Sequence, residues 1–274
     1  MFMNANRFGQ LFSVTTFGES HGEGLGCVID GCPAGVEWDA KRLQAWMNRR
    51  RPGQSGVVSS RKEADVVEVL SGVFENRTLG TPIAMMVRND DARSIDYSRE
   101  KVAARPGHAA DLWQEKFGHS DFRGSGRASG RETVARVMAG AVAEMFVRSV
   151  QPDCRVNSFV SQLGEWKVSE GSLLAARDAK ENWYADSFVA RVPDTGLSRS
   201  IEEGLLKAKT DGESFGGVCE LVLSGMGKNL GQPVFHKLKS DLAAALVGVG
   251  ATSGVEFGEG FAGAVKKGSA FHSD

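Results

Sequence analysis

Cysteine is scarce, and none of Cys27, Cys32, Cys154 and Cys219 forms a C-x-x-C pair. That excludes the usual zinc spacings and a disulfide framework, and it predicts reduced thiols in a cytoplasmic protein. Cys27 and Cys32 stand in apolar runs, a setting for burial rather than for an activated nucleophile. An excess of either charge is missing too. With 33 basic and 34 acidic residues the net charge is -1, so nothing draws the whole chain toward nucleic acid or an anionic membrane. No segment approaches the roughly 18 consecutive apolar residues of a membrane span, and no basic stretch leads into an apolar run at the N-terminus. The chain therefore reads as cytoplasmic, with no membrane or nucleic-acid partner. Any anion site must come from local clustering.

Glycine is plentiful, at 34 of 274 residues against a typical ~7%. The glycines gather at 18–35, 107–130 and 248–263, beside histidine and arginine. Close approach of backbone to a ligand explains that placement better than a flexible linker does. No repeat, heptad or Pro/Ser linker divides the chain, so residues 1–274 are expected to form one domain.

Strand-like and helix-like stretches interleave, which predicts mixed α/β layers. "VVEVLSGV" (Val66 to Val73), "PIAMMVR" (Pro82 to Arg88) and "CELVLSG" (Cys219 to Gly225) are short, apolar or β-branched, and bounded by turn residues. A first helix is expected from Asp39, as N-cap, to Arg49, stopped by Pro52-Gly53. The longest runs from about Gly130 to Val150, with Val134, Val137, Met138, Ala141, Val142, Met145 and Phe146 at three- and four-residue steps. A third is expected near Gln232 to Val249, with Phe235, Leu238, Leu242 and Leu246 on one face.

The start of the longest helix carries the densest chemical signal. In "RGSGRASGRETVARVMAGA", Ser129 and Glu132 have the spacing of a capping box, and Arg123, Arg127 and Arg131 interleave with Gly124, Gly126 and Gly130. Unpaired N–H groups and a positive dipole end beside three guanidiniums describe a phosphate or carboxylate site. "GSGRASG" fits G-x-G-x-x-G only partly, and "KFGHSDF" before it is a poor strand, so no dinucleotide fold follows. A second basic run, "NRRRPGQSG", closes the first helix with Arg49, Arg50 and Arg51.

Two of the five histidines have a distinctive setting. His21 lies between Ser20 and Gly22, and His108 follows Arg105-Pro106-Gly107 on a tight turn. Both read as positioned acid–base groups. His119, His236 and His272 have no such setting and read as structural. No second histidine or carboxylate stands at ligand spacing, so no metal is expected.

Longer stretches then carry a resemblance. "FGESHGEGLGCVIDGCPAG", "RRRPGQS", "LSGVFENRTLGTPI", "RNDDARSIDYS", "RPGHAADLWQEKFGHSDFRGSGRASGRETVARVMAGAVA" and "SGMGKNLGQPVFHKLKSDLAAALVGVGATSGVEFGEGF" resemble the chorismate synthase family in order and spacing. The resemblance implies an α+β fold, a β-α-β sandwich with antiparallel sheets around a helical core, assembled as a homotetramer. It implies a carbon–oxygen lyase of the shikimate pathway that converts 5-enolpyruvylshikimate 3-phosphate to chorismate by 1,4-anti elimination of phosphate. It implies reduced FMN as cofactor, with NADPH as the reductant in some members.

On this resemblance His21 assists departure of the phosphate and His108 serves the anionic reduced flavin. Arg127, Ala128 and Ser129 contact the flavin, as do Gly250 and Ala251. Arg50, Arg105 and Arg131 meet substrate or nucleotide anions. Ala128 and Gly250 stand where the family usually has serine and asparagine, and Ser125 where it has glycine. The family's sequences continue beyond the segment matching Lys266 to Asp274, so residues 1–274 are expected to lack a C-terminal flavin segment. A second reading is a non-catalytic anion-binding protein of the same fold. A third, a nucleic-acid binder using "NRRRPG" and "RGSGRASGR", fits poorly with near-neutral charge and two tyrosines.

Overall fold

The computed structural model describes residues 5–51, 65–89, 108–180 and 183–271. The strands, in order, are β1 (Arg7–Phe8), β2 (Ser13–Phe17), β3 (Gly24–Asp30), β4 (Ala34–Glu37), β5 (Glu68–Val69), β6 (Val73–Phe74), β7 (Arg77–Leu79), β8 (Ile83–Arg88), β9 (Arg155–Leu163), β10 (Trp166–Lys167), β11 (Gly217–Ser224), β12 (Gly231–Gln232) and β13 (His236–Lys237). The helices are α1 (Ala40–Arg50), α2 (Ala110–Phe117), α3 (Thr133–Val150), α4 (Glu170–Asp178), α5 (Ser198–Asp211), α6 (Leu238–Val247) and α7 (Gly268–Phe271). The chain clusters into two compact units, one of residues 1–35, 65–141 and 228–274, the other of residues 36–64 and 142–227.

The first unit is built on a five-stranded sheet ordered β1-β2-β3-β8-β5, with antiparallel pairing throughout. Period-2 patterning in β3 and β8 fixes its register. Leu25 pairs with Val87, Cys27 with Met85 and Ile29 with Ile83, and all six side chains are buried. At about 1.5–3 kcal/mol for each large apolar chain, a one-residue slip would expose the whole set. Burial also pushes the Cys27 thiol up to about 12, so this cysteine is core and not a nucleophile. Val134, Ala135, Met138, Ala139 and Ala141 on α3 are buried at the expected helical steps.

The second unit carries the antiparallel sheet β10-β9-β11. Phe159 packs with Ala176 and Ala185, and Val168 with Val192 and Ile201. Helix α1 begins as expected: the Asp39 carboxylate accepts the Arg42 N–H at 2.8 Å, and Leu43 and Met47 face inward. At its C-terminal end Arg49 binds Asp186 with two hydrogen bonds and stacks on Trp46 and Trp183.

Three expected boundaries move. The stretch Val66 to Val73 contains β5 and the start of β6, separated by a turn at Ser71 and Gly72. The longest helix becomes α-helical only at Thr133, because Gly130–Glu132 form a 3-10 turn after a left-handed segment. The third helix shortens to α6, since Gln232 and His236 pair across a small hairpin whose turn leaves Phe235 exposed. The expected stop at Pro52-Gly53 lies outside the described residues, as do Arg105 and His272.

Candidate active site

The loop between β2 and β3 carries His21 into the first unit's interior, where only 3% of the residue is exposed. It lies against the segment 123–128, whose backbone turns left-handed at Gly124 (φ 55°), Ser125 (φ 69°) and Gly126 (φ 52°). A Cβ at Gly124 would overlap Cε1 and Nδ1 of His21. Glycine is therefore required there for two reasons, its backbone angle and the imidazole face pressed on it. Ser125 adopts the same left-handed conformation while buried, although side chains disfavour it.

Ser20 joins the two segments. Its N–H donates to the Gly126 carbonyl at 3.4 Å, and its Oγ donates to the Gly124 carbonyl at 3.0 Å. Oγ also lies 2.9 Å from His21 Nδ1. A hydroxyl has one hydrogen: directed to the Gly124 carbonyl, it leaves Oγ to accept from His21 Nδ1, the tautomer that carries its hydrogen on Nδ1; directed to Nδ1, it gives the other tautomer.

The three arginines at this helix start all have internal partners. Arg123 makes two bonds to Asp121, at 2.8 and 2.6 Å, and these hold the Asp121 carboxyl below its ordinary value. Arg127 donates to Thr16 Oγ1 at 2.6 Å, to the Gly18 carbonyl at 3.1 Å and to Asn6 at 3.1 Å. Buried Arg131 pairs with buried Asp65 at 3.1 Å and donates from Nε to Asn89 at 2.7 Å. The sequence marks these arginines as an anion site; in the fold they also lock the turn to the sheet. Ser129 caps as expected, but its Oγ accepts the Arg131 N–H, and the Glu132 carboxylate turns to Thr16 and Arg136.

His108 precedes α2, a helix that contacts the 123–128 segment; its Nδ1 is buried, with no hydrogen-bond partner among the described residues. Gly250 and Ala251 form an exposed turn in which Ala251 is left-handed (φ 65°) and a Cβ on Gly250 would meet nothing within 4 Å. Gly248 brings this turn beside α3, since its Cβ would lie 3.4 Å from Arg136 Nη1. Arg50 ends α1 in the second unit, and Arg105 lies outside the described residues. Ser20, Asp65 and Asn89 escaped sequence reasoning. Asn89 stands in the "RND" of a quoted motif, but its partners lie 42 and 67–70 positions away.

The site is thus a buried histidine set on a glycine turn at an arginine-rich helix start. A family model described as chorismate synthase matches residues 12–274. A chorismate synthase from Bdellovibrio bacteriovorus is 52% identical over 273 residues, covering 98% of this chain and 79% of the relative. Chorismate synthases from Christiangramia forsetii and Synechocystis sp. are each 43% identical, covering 99% and 98% of this chain and 74% and 72% of theirs. A crystal structure of a chorismate synthase superposes with a TM-score of 0.79 at 29% identity, over 97% of this chain and 73% of that one. The chain belongs to the chorismate synthase family, lyases of the shikimate pathway. Its α+β architecture is that family's, and the family generally uses reduced FMN. Among the described residues no helix is long and apolar enough to cross a membrane.

Proposed function

We propose that this chain eliminates phosphate from 5-enolpyruvylshikimate 3-phosphate to form chorismate, with His21 as the acid that assists the leaving phosphate. The observation that carries the assignment is the Ser20–His21 pair. We assign the Nδ1 hydrogen to the contact with Ser20 Oγ; protonation at Nε2 then makes an imidazolium, and its hydrogen bond offsets the charge that develops on the departing oxygen. Burial strengthens that interaction, because little water competes for it.

Reduced FMN suits the residues on this face. The Ser129 turn and the open Gly250–Ala251 turn both border Arg136, through Glu132 and through Gly248. They offer exposed backbone beside the Arg136 guanidinium, itself paired with Glu132 at 2.8 Å. Arg127, Ala128, Ser129, Gly250 and Ala251 would hold the flavin, and His108, whose buried Nδ1 has no hydrogen-bond partner among the described residues, would hydrogen-bond to it. When bound, reduced flavin supplies electron density to a reaction that is redox-neutral overall. Arg50 and Arg105 are assigned to the anions of substrate or of an NADPH reductant. Assembly as a homotetramer in the cytoplasm completes the reading, and it follows the family.

Anaerobic phosphate release from the enolpyruvyl substrate with reduced FMN tests the proposal. His21→Ala and His108→Ala should each lower turnover by roughly 10²-fold or more, as loss of an acid–base group does, with the thermal transition retained. Unchanged turnover in either variant removes that residue from the mechanism.

A further inference from the structure

Asn89 stands just after β8, and its carboxamide spans the loop that carries His21. Nδ2 donates to the Glu19 carbonyl at 3.2 Å and to the Gly22 carbonyl at 2.8 Å. These two carbonyls flank Ser20 and His21 on either side. The Asn89 backbone N–H reaches the Glu23 carbonyl at 3.1 Å, so one residue grips the loop at three points. A carboxamide has two amide hydrogens, and both are used.

The amide's orientation is itself fixed. Oδ1 accepts a charge-assisted bond from Arg131 Nε at 2.7 Å. Arg131 is held by Asp65 at 3.1 Å and, through its own N–H, by Ser129 Oγ at 3.3 Å. Reversing the amide would set its oxygen against two carbonyls and its NH2 group against a guanidinium. The chain Asp65–Arg131–Asn89 therefore sets the position of the His21 loop within the first unit.

We propose that Asn89 is a positioning residue for His21, oriented by the Arg131–Asp65 ion pair. The functional part of this inference rests on the assignment of His21 above; the structural part does not. Asn89→Ala should lower kcat by about tenfold to a hundredfold, the scale of a small misplacement of a reacting group, with KM nearly unchanged. In a His21→Ala background the same change should lower kcat by less than about twofold, because two residues acting through one group are not additive. Equal losses in both backgrounds, or an unchanged kcat in Asn89→Ala, overturn the proposal.

Hydrogen exchange separates this inference from the one beneath it. Asn89→Ala should speed exchange at the Ser20 and Gly22 amides whatever His21 does in catalysis; unchanged exchange overturns the clamp. An active His21→Ala enzyme instead overturns the acid assignment. If Asn89→Ala fails to fold, Asn89→Asp carries the same expectations, since it keeps the size and the Arg131 bond but loses both donors.

Discussion

The two turns assigned to the flavin are built on opposite terms. The Arg127–Ser129 turn is bound into its unit: Arg127 is held by Thr16, Gly18 and Asn6, Ser129 caps the next turn, and Gly124 before it presses on His21. The Gly250–Ala251 turn is exposed, and at Gly250 it has open space where a side chain would go. One turn is held by side chains from elsewhere in its unit. The other is closed by its own backbone, Thr252 N–H to the Val249 carbonyl at 3.2 Å.

Substitutions can break this contrast, and the largest effect is expected at the ion pair beneath the pinned turn. Arg131→Met should destabilise the fold by about 3–5 kcal/mol in denaturant unfolding, because it strips the buried Asp65 carboxylate of its cation. Gly124→Ala should follow, at about 1–3 kcal/mol with a steep loss of turnover, since a left-handed backbone and the imidazole face both reject a Cβ.

Asp121→Asn should cost stability near neutral pH and lose its effect in acid. The Asp121 carboxyl is held below 3.8 by hydrogen bonds from Arg123, so its contribution is complete above that pH and is lost as the pH falls through the lower folded value. Because the Arg123 side chain is 39% exposed, the variant should flatten the acid limb of stability against pH by no more than about 1 kcal/mol. Smallest of all, Gly250→Ala should shift stability by under about 0.5 kcal/mol. A large loss there, by the same unfolding measurement, would make the two turns alike.

Local physics was legible in the sequence. Asp39 capped α1, the short apolar run Pro82 to Arg88 between turn residues formed the strand Ile83–Arg88, and the buried stripe of α3 followed its three- and four-residue steps. Phe235 misled because its apolar spacing matched a helix that a two-strand hairpin overrode. His21 and the arginine–glycine cluster were recognisable as a site, but the partners of those arginines were not. Asp65 lies 66 positions from Arg131, and the carbonyl held by Ser20 lies 104 away. Such pairs depend on how the sheet closes, and no window of neighbouring residues contains them. Tertiary pairing thus turned guanidiniums that read as ligand groups into partners of protein carboxylates and carbonyls.

The buried His21 ring, with Nδ1 2.9 Å from Ser20 Oγ, makes the site observable without an added label. An imidazole N–H with so little exposure exchanges slowly with water, so it should give its own proton resonance downfield of the amides. That line would move when an anion reaches the ring and vanish in His21→Ala, reporting occupancy of the site independently of turnover.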